Sequence, residues 1–290
     1  MKTKHLILSA SVLMMTAALT MTSCRKDNEK DKDTSGAEDN ALADKSFEDM
    51  GQMSNEAASG PIGSFKIGDD HSGLLSSCAT VTHDTALNTI LIDFGSTNCL
   101  CKDGRYRRGK IYISYSNATK PEPYTYWDSL TQITITTNPT DDYFVDDNQI
   151  KGYKTVINQG HNAANHMNWD VTVTGTVVKA NNQGTVTWAS SRNREWLAGE
   201  STPFNWFDDE YGVTGTCNGT SAKGTTFNVT ITSQLIWQVT CPKHFVMGTF
   251  DFTPGTKPVR QVDFSPPNNG QCDDIATVTI SGKTYTVHMK

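Results

Sequence analysis

The sequence predicts an all-β protein, a long-stranded antiparallel meander folded as a sandwich or a curled half-barrel, and three observations carry that expectation. Over residues 225–241 one alternation runs unbroken: Phe227, Val229, Ile231, Leu235, Trp237 and Val239 share one parity, and Asn228, Thr230, Thr232, Gln234 and Gln238 the other. That is a strand with one dry and one wet face. Turn signals recur along the chain and separate apolar runs that match when folded back on each other. Thr, Gly, Asn and aromatic residues abound, and no long helical pattern separates the strands, which excludes a parallel βαβ architecture.

The chain opens with Lys2 and Lys4, an apolar run over residues 6–19, and Met21-Thr22-Ser23 ahead of Cys24. A charged start and an apolar stretch too short to span a bilayer comfortably read as an export signal over residues 1–23. The segment resembles a bacterial lipoprotein signal, although Met21 stands where Leu is commoner. The resemblance implies that Cys24 becomes the acylated N-terminus and that the acyl chains hold the protein on a membrane. Arg25, rather than Asp, implies by the same resemblance the outer membrane. The run Arg25-Lys26-Asp27-Asn28-Glu29-Lys30-Asp31-Lys32-Asp33 is similar to the charged signal that sends Bacteroidota-type lipoproteins to the cell surface. By composition residues 24–38 are a solvated tether, since such a run buries too little apolar area to fold.

Residues 39–60 hold Leu42, Phe47, Met50 and Met53 at approximate helical spacing, which predicts a short amphipathic helix and linker, interrupted at Gly51. Gly60-Pro61 marks the entry to a β-rich domain over residues 61–290. Residues 78–82 and 89–94 read as strands flanking a polar turn at 84–88. A hairpin closed at Asp103-Gly104 sets Phe94 opposite Ile113 and Ile92 opposite Tyr115. A loop at 181–184 sets Val177 opposite Trp188 and Trp169 opposite Trp196. Ser281-Gly282 sets Val278 opposite Tyr285 and Ala276 opposite Val287. If the domain were two packed sandwiches, the boundary would fall in the loopy stretch 198–205.

A net charge of -6 and a pI near 5.6 exclude a nucleic-acid partner, because the only local basic cluster is Arg105, Arg107, Arg108 and Lys110. G-x-S-x-G, H-E-x-x-H, P-loop and dinucleotide signatures are absent. Paired acids at Asp141-Asp142, Asp146-Asp147 and Asp208-Asp209-Glu210 supply carboxylates of the kind a glycosidase uses, but acids also keep turns and edges soluble. Six cysteines remain besides Cys24: Cys78, Cys99, Cys101, Cys217, Cys241 and Cys272. An even remainder in an exported chain predicts disulfides, and adjacency in the sheet favours Cys78 with Cys99 or Cys101, and Cys241 with Cys272. A metal on Cys99-x-Cys101 with His83 lacks a second matching knuckle, so no metal and no cofactor are expected. His161 and His166, in a polar loop, read as solvent-exposed.

The most suggestive constellation is Trp188, Arg192, Arg194 and Trp196 on one strand parity, facing Trp169 across the hairpin. Rings flanked by guanidinium groups suit a glycan-binding strip. They equally suit rings that cover the arginines by cation-π packing, or a bulge near 189–191 that turns the arginines outward. Trp206, Phe207 and Tyr211 beside the 208–210 acids form a second aromatic patch.

Cys78-Ala79-Thr80-Val81-Thr82, with Ile92-Asp93-Phe94-Gly95, Cys99-x-Cys101 and Asp103-Gly104-Arg105, resembles a group of Bacteroidota-type β-rich surface lipoproteins over most of the mature chain. The resemblance implies a lipid-anchored outer-membrane location and no activity. The residues themselves point to a binding, adhesion or structural module that engages glycan or another envelope component. A glycan-acting hydrolase built on paired carboxylates, or an envelope protein with no ligand, are the alternatives.

Overall fold

A computed structural model of the 290-residue chain describes residues 34–59, 73–137, 142–202, 205–241, 245–266 and 270–288. The export signal, Cys24 and the charged run to Asp33 lie outside the described residues, as does Asp141. One helix, α1 (Ser35–Ala58), precedes the strands β1 (Thr80–Asp84), β2 (Thr89–Asp93), β3 (Cys99–Leu100), β4 (Tyr106–Arg108) and β5 (Lys110–Asn117). Then come β6 (Thr131–Thr136), β7 (Tyr143–Val145), β8 (Asn148–His161), β9 (Met167–Val178), β10 (Thr185–Ala198) and β11 (Glu210–Thr220). The chain closes with β12 (Thr226–Gln238), β13 (Met247–Pro254), β14 (Arg260–Asp263), β15 (Ile275–Ile280) and β16 (Lys283–His288).

These strands form one antiparallel, unclosed sheet in the order β1-β2-β5-β6-β8 and then consecutively to β16, while β3, β4 and β7 make a flap joined to β8. The all-β meander is therefore observed, with one helix. β10 and β11 pair directly on either side of residues 198–205, so the sheet continues through the stretch where two sandwiches would part.

The helix begins at Ser35, inside the expected tether, and runs for 24 residues. Ala43, Phe47, Met50, Met53 and Ala57 recur at three- and four-residue intervals and are fully buried, and Asp39, Ser46, Asp49 and Ser54 are buried beside them. At about 100° per residue these positions, together with the buried Gly51, cover roughly 200° of the helix circumference, more than a flat sheet could bury, so the sheet curls about the helix. Gly51 does not break α1. A Cβ there would stand 2.6 Å from Lys154 Nζ, so glycine is what lets that ammonium pass close to the helix.

Period-two burial holds along the strands: Ile90 and Ile92, Ile111 and Ile113, and Phe227, Val229 and Leu235 all turn to the dry side. Registers need correction. Ile90 pairs with Ile113 and Ile92 with Ile111, four residues from the expected match, because the Asp103-Gly104 turn closes only the small β3–β4 hairpin. Val177 pairs with Val186, Trp188 with Gly175, and Trp169 with Arg194, two residues off, because the turn takes up Ala180–Asn182 as a short 3-10 segment. Val278 opposite Tyr285 and Ala276 opposite Val287 are as expected. Each error is an even number of residues, so every side chain keeps its face.

Disulfides join Cys78 to Cys99 and Cys241 to Cys272. Cys101 and Cys217, expected to be bridged, are buried thiols. Cys217 sits under α1 with its Sγ 3.2 Å from Asn40 Oδ1, a place taken by the helix rather than by a second sulfur.

Phe47 stacks on Trp188 with ring centroids 5.9 Å apart and fills the space over Gly175. Phe47→Ala should lower the unfolding free energy by about 3–5 kcal/mol in urea titration, the usual cost of removing a large buried ring.

Candidate functional site

β10 alternates so that Trp188, Arg192, Arg194 and Trp196 share the face that α1 covers, and no bulge interrupts it between 187 and 196. The helix lies over the first half of this row. Trp188 is 3% exposed and donates its indole N–H to Asn40 Oδ1 at 2.8 Å. Arg192 grips Asp44 with two hydrogen bonds of 2.8 and 2.9 Å and lies 5.5 Å from the Trp188 ring centre. Residues 40, 44 and 48 lie one helical turn apart, so a single stripe of α1 meets this strand.

Further along, Lys154 Nζ, itself nearly buried, reaches Glu48 at 2.8 Å, and Arg194 reaches the same carboxylate at 3.5 Å. The Glu48 side chain is 54% exposed; desolvation where it meets the sheet works against its charge, but Lys154, Arg194 and Arg192 together hold its carboxyl down at about 2. Asp49 and Arg107, both at 0% side-chain exposure, meet at 3.0 Å, and Arg107 is completed by Asp103 while Arg105 also reaches Asp49. Lys179 meets Asp39 at 2.8 Å. The four basic residues from 105 to 110 thus include two that lock the helix to the sheet.

Beyond the helix the same face is open. Trp169 on β9, Trp196 on β10, Tyr211 on β11 and Trp237 on β12 form a ladder across four strands, with successive ring centroids 6.5, 5.7 and 5.7 Å apart. All four rings are half-buried. Arg194 lies over the Tyr211 ring at 4.1 Å and near Trp237 at 5.8 Å, tying the open ladder to the helix through Glu48. The Trp196 indole nitrogen is buried without a hydrogen-bond partner among the described residues. The expected strip is therefore divided. Trp188 and Arg192 belong to the helix interface, while Trp169, Arg194 and Trp196 join two rings the sequence reading placed elsewhere: Tyr211, grouped with the 206–210 patch, and Trp237, read only as core. Phe207 is exposed, and the side chain of Trp206 lies outside the described residues.

The other candidate groups are engaged locally. Asp146 and Asp147 form the positive-φ turn of the β7–β8 hairpin and pair with Arg105 and Arg108. Asp208 accepts a hydrogen bond from Thr202 and Glu210 one from Gln238. Cys99 is bridged and His83 bonds the Tyr115 hydroxyl at 3.0 Å, so the pieces of the C-x-C metal reading are used apart. Among the described residues no group of three His, Cys, Asp or Glu side chains is placed to hold a metal ion.

On the opposite face His166 meets Glu195 at 2.9 Å and His161 meets Glu200 at 2.6 Å. Asn162 and Gln234 also donate to Glu195, and although burial opposes them these contacts lower its pKa. His161 is exposed and His166 half-buried, and each has an acidic partner, 39 and 29 positions downstream respectively. A shallow groove of about 400 Å³ on this face is lined by Thr82, Thr89, Ser114, Thr134, Thr136 and Tyr112.

No helix among the described residues is long and apolar enough to cross a membrane. No protein-family model, curated protein or solved structure matches the chain.

Because the Glu48 carboxyl titrates near 2, below its ordinary value near 4.5, its ion pairs are intact above pH 4.5 and are lost as pH falls toward 2. Glu48→Gln should remove that part of the pH dependence, lowering stability above pH 5 and converging on the wild type near pH 2, in urea titrations at each pH followed by circular dichroism.

Proposed function

We propose that the protein is a lipid-anchored cell-surface binding module whose glycan-contacting surface is the aromatic ladder Trp169, Trp196, Tyr211 and Trp237. The observation that carries the reading is that ladder: four half-buried rings in line across four strands of the face that α1 leaves open. Contiguous apolar surface left in water marks an interaction site. Strands hold the rings in place before any ligand arrives, so association has little ordering entropy to overcome. Sugar rings offer apolar C–H faces with hydroxyls at their rims. The Arg194 guanidinium stands beside the rings as a donor for such hydroxyls.

The anchored, outer-surface location is supported by the resemblance of residues 1–23, ahead of Cys24, to a bacterial lipoprotein signal. A binding role is favoured over hydrolysis because Asp146, Asp147, Asp208 and Glu210 are bonded to neighbours in turns and strand ends, and hydrolysis needs two carboxyl groups facing across a sugar.

A polysaccharide array probed with the full-length protein should give at least one ligand. Trp196→Ala and Trp237→Ala should each weaken it tenfold or more, a loss of about 1.4 kcal/mol. Leu87→Ala, at an exposed hairpin tip, should bind unchanged. Failure of the wild-type protein to bind any glycan removes this reading. Incorporation of a fatty-acid analogue, abolished by Cys24→Ser, tests the anchor separately.

A further inference from the structure

The sheet is unclosed, and β16 is the edge at the C-terminal end of its main path: among the described residues β15 is its only partner. Every residue of β16 is exposed. Among the described residues no proline, bulge or covering segment protects this edge, and Lys283 is its only formal charge.

The backbone of this edge has a defined polarity. The β15–β16 hairpin turns on Ser281 and Gly282, both at positive φ, and pairs Ile280 with Lys283. In such a two-residue turn the flanking pair exchanges backbone hydrogen bonds, and these alternate along the ladder. Lys283, Tyr285 and Val287 therefore bond to β15, and Thr284, Thr286 and His288 point their N–H and C=O groups away from the sheet.

We infer that β16 docks against β16 of a second copy of this chain, antiparallel, with Thr286 on the two-fold axis. In that register Thr286 exchanges hydrogen bonds with its own counterpart and Thr284 does so with the partner copy's residue 288, which uses all three outward-facing residues. Tyr285 then lies opposite residue 287 of the other copy, an aromatic ring against a β-branched side chain, twice over. These two are the exposed apolar residues of the strand, at 38% and 37% exposure. They extend the face that Val278 and Ala276 carry on β15, so the two-fold joins the dry faces of two sheets into one. A self-complementary strand is what an isologous contact requires. The opposite edge, β1, lacks this property: folded about Thr82 it would set Val81 against His83, which is already bonded to Tyr115. Pairing is therefore closed at two copies and does not propagate. The inference is independent of the glycan reading, since the ladder lies on strands β9 to β12.

Full-length protein in detergent, followed by sedimentation across a concentration series, should reach twice the monomer mass. Thr286→Cys should give a disulfide-linked dimer under mild oxidation, and Thr284→Cys should not, because its counterpart there is residue 288. Among the described residues the free thiols, Cys101 and Cys217, are buried and do not compete, and both cysteine variants carry Cys24→Ser. Tyr285→Glu with Val287→Glu should yield monomers, and mixing that protein with the Tyr285→Lys, Val287→Lys variant should restore a mixed dimer. A protein that stays monomeric, with Thr286→Cys unlinked, overturns the proposal. So does cross-linking through Thr284→Cys in place of Thr286→Cys, or assembly into filaments.

Discussion

The structure depends on a line of ion pairs between α1 and the curled face of the sheet. Asp39, Asp44, Glu48 and Asp49 meet Lys179, Arg192, Lys154 with Arg194, and Arg107 with Arg105. Apolar burial drives the helix onto the sheet, but it is non-directional and would tolerate a slide or a rotation. The pairs are not tolerant. Bringing these charges out of water costs much of what their attraction returns, so they add little net stability. Displacing the helix by one turn, however, would strand Asp49 and Arg107, both at zero side-chain exposure, without partners. Their contribution is to the register of the helix.

That register determines what is left uncovered. A helix of 24 residues is about 36 Å long, and with its position fixed it ends its hold on β10 at Arg194. Past that point the described residues place no helix on the face, and the sheet supplies its own cover: rings from four strands lean on one another, and a second, smaller core forms from Leu235, Phe264 and Ala276. Arg194 belongs to both regions, with Glu48 on one side and the Tyr211 ring on the other. The ladder is thus a consequence of helix placement. Its rings are oriented by the same arginine that marks the limit of the helix.

Faces were legible in the sequence, and partners were not. Period two sorts Phe227, Val229 and Leu235 from Asn228 and Thr230 without reference to anything distant, and the structure keeps that sorting. Registers depend on how many residues a turn absorbs, which residue type alone does not state; the Asp103-Gly104 and 181–184 turns each missed, by an even number of residues. The arginines on an apolar parity were the one visible sign that something charged lies over the sheet. Their partners are 148 and 146 residues earlier, in a segment whose acids look like ordinary solvent-facing charges. Gly51 misled for the same reason, since a close approach by Lys154 is a tertiary event.

Cysteine counting failed on a related point, because an even number of thiols says nothing about where each one sits. Burial raises the pKa of Cys101 and pushes that of Cys217 up to about 11. An arginine stands beside each, Arg107 and Arg192, and a free guanidinium would stabilise the thiolate. Both guanidinium groups are instead bonded to carboxylates, Arg107 to Asp49 and Asp103, and Arg192 to Asp44. Asp103 and Asp44 in turn oppose ionisation of the neighbouring sulfur. Burial keeps both thiols protonated, and the carboxylates offset part of the pull of the neighbouring arginines. Among the described residues two reduced cysteines therefore sit inert beside two disulfides, at the places where the helix-seating ion pairs meet the sheet.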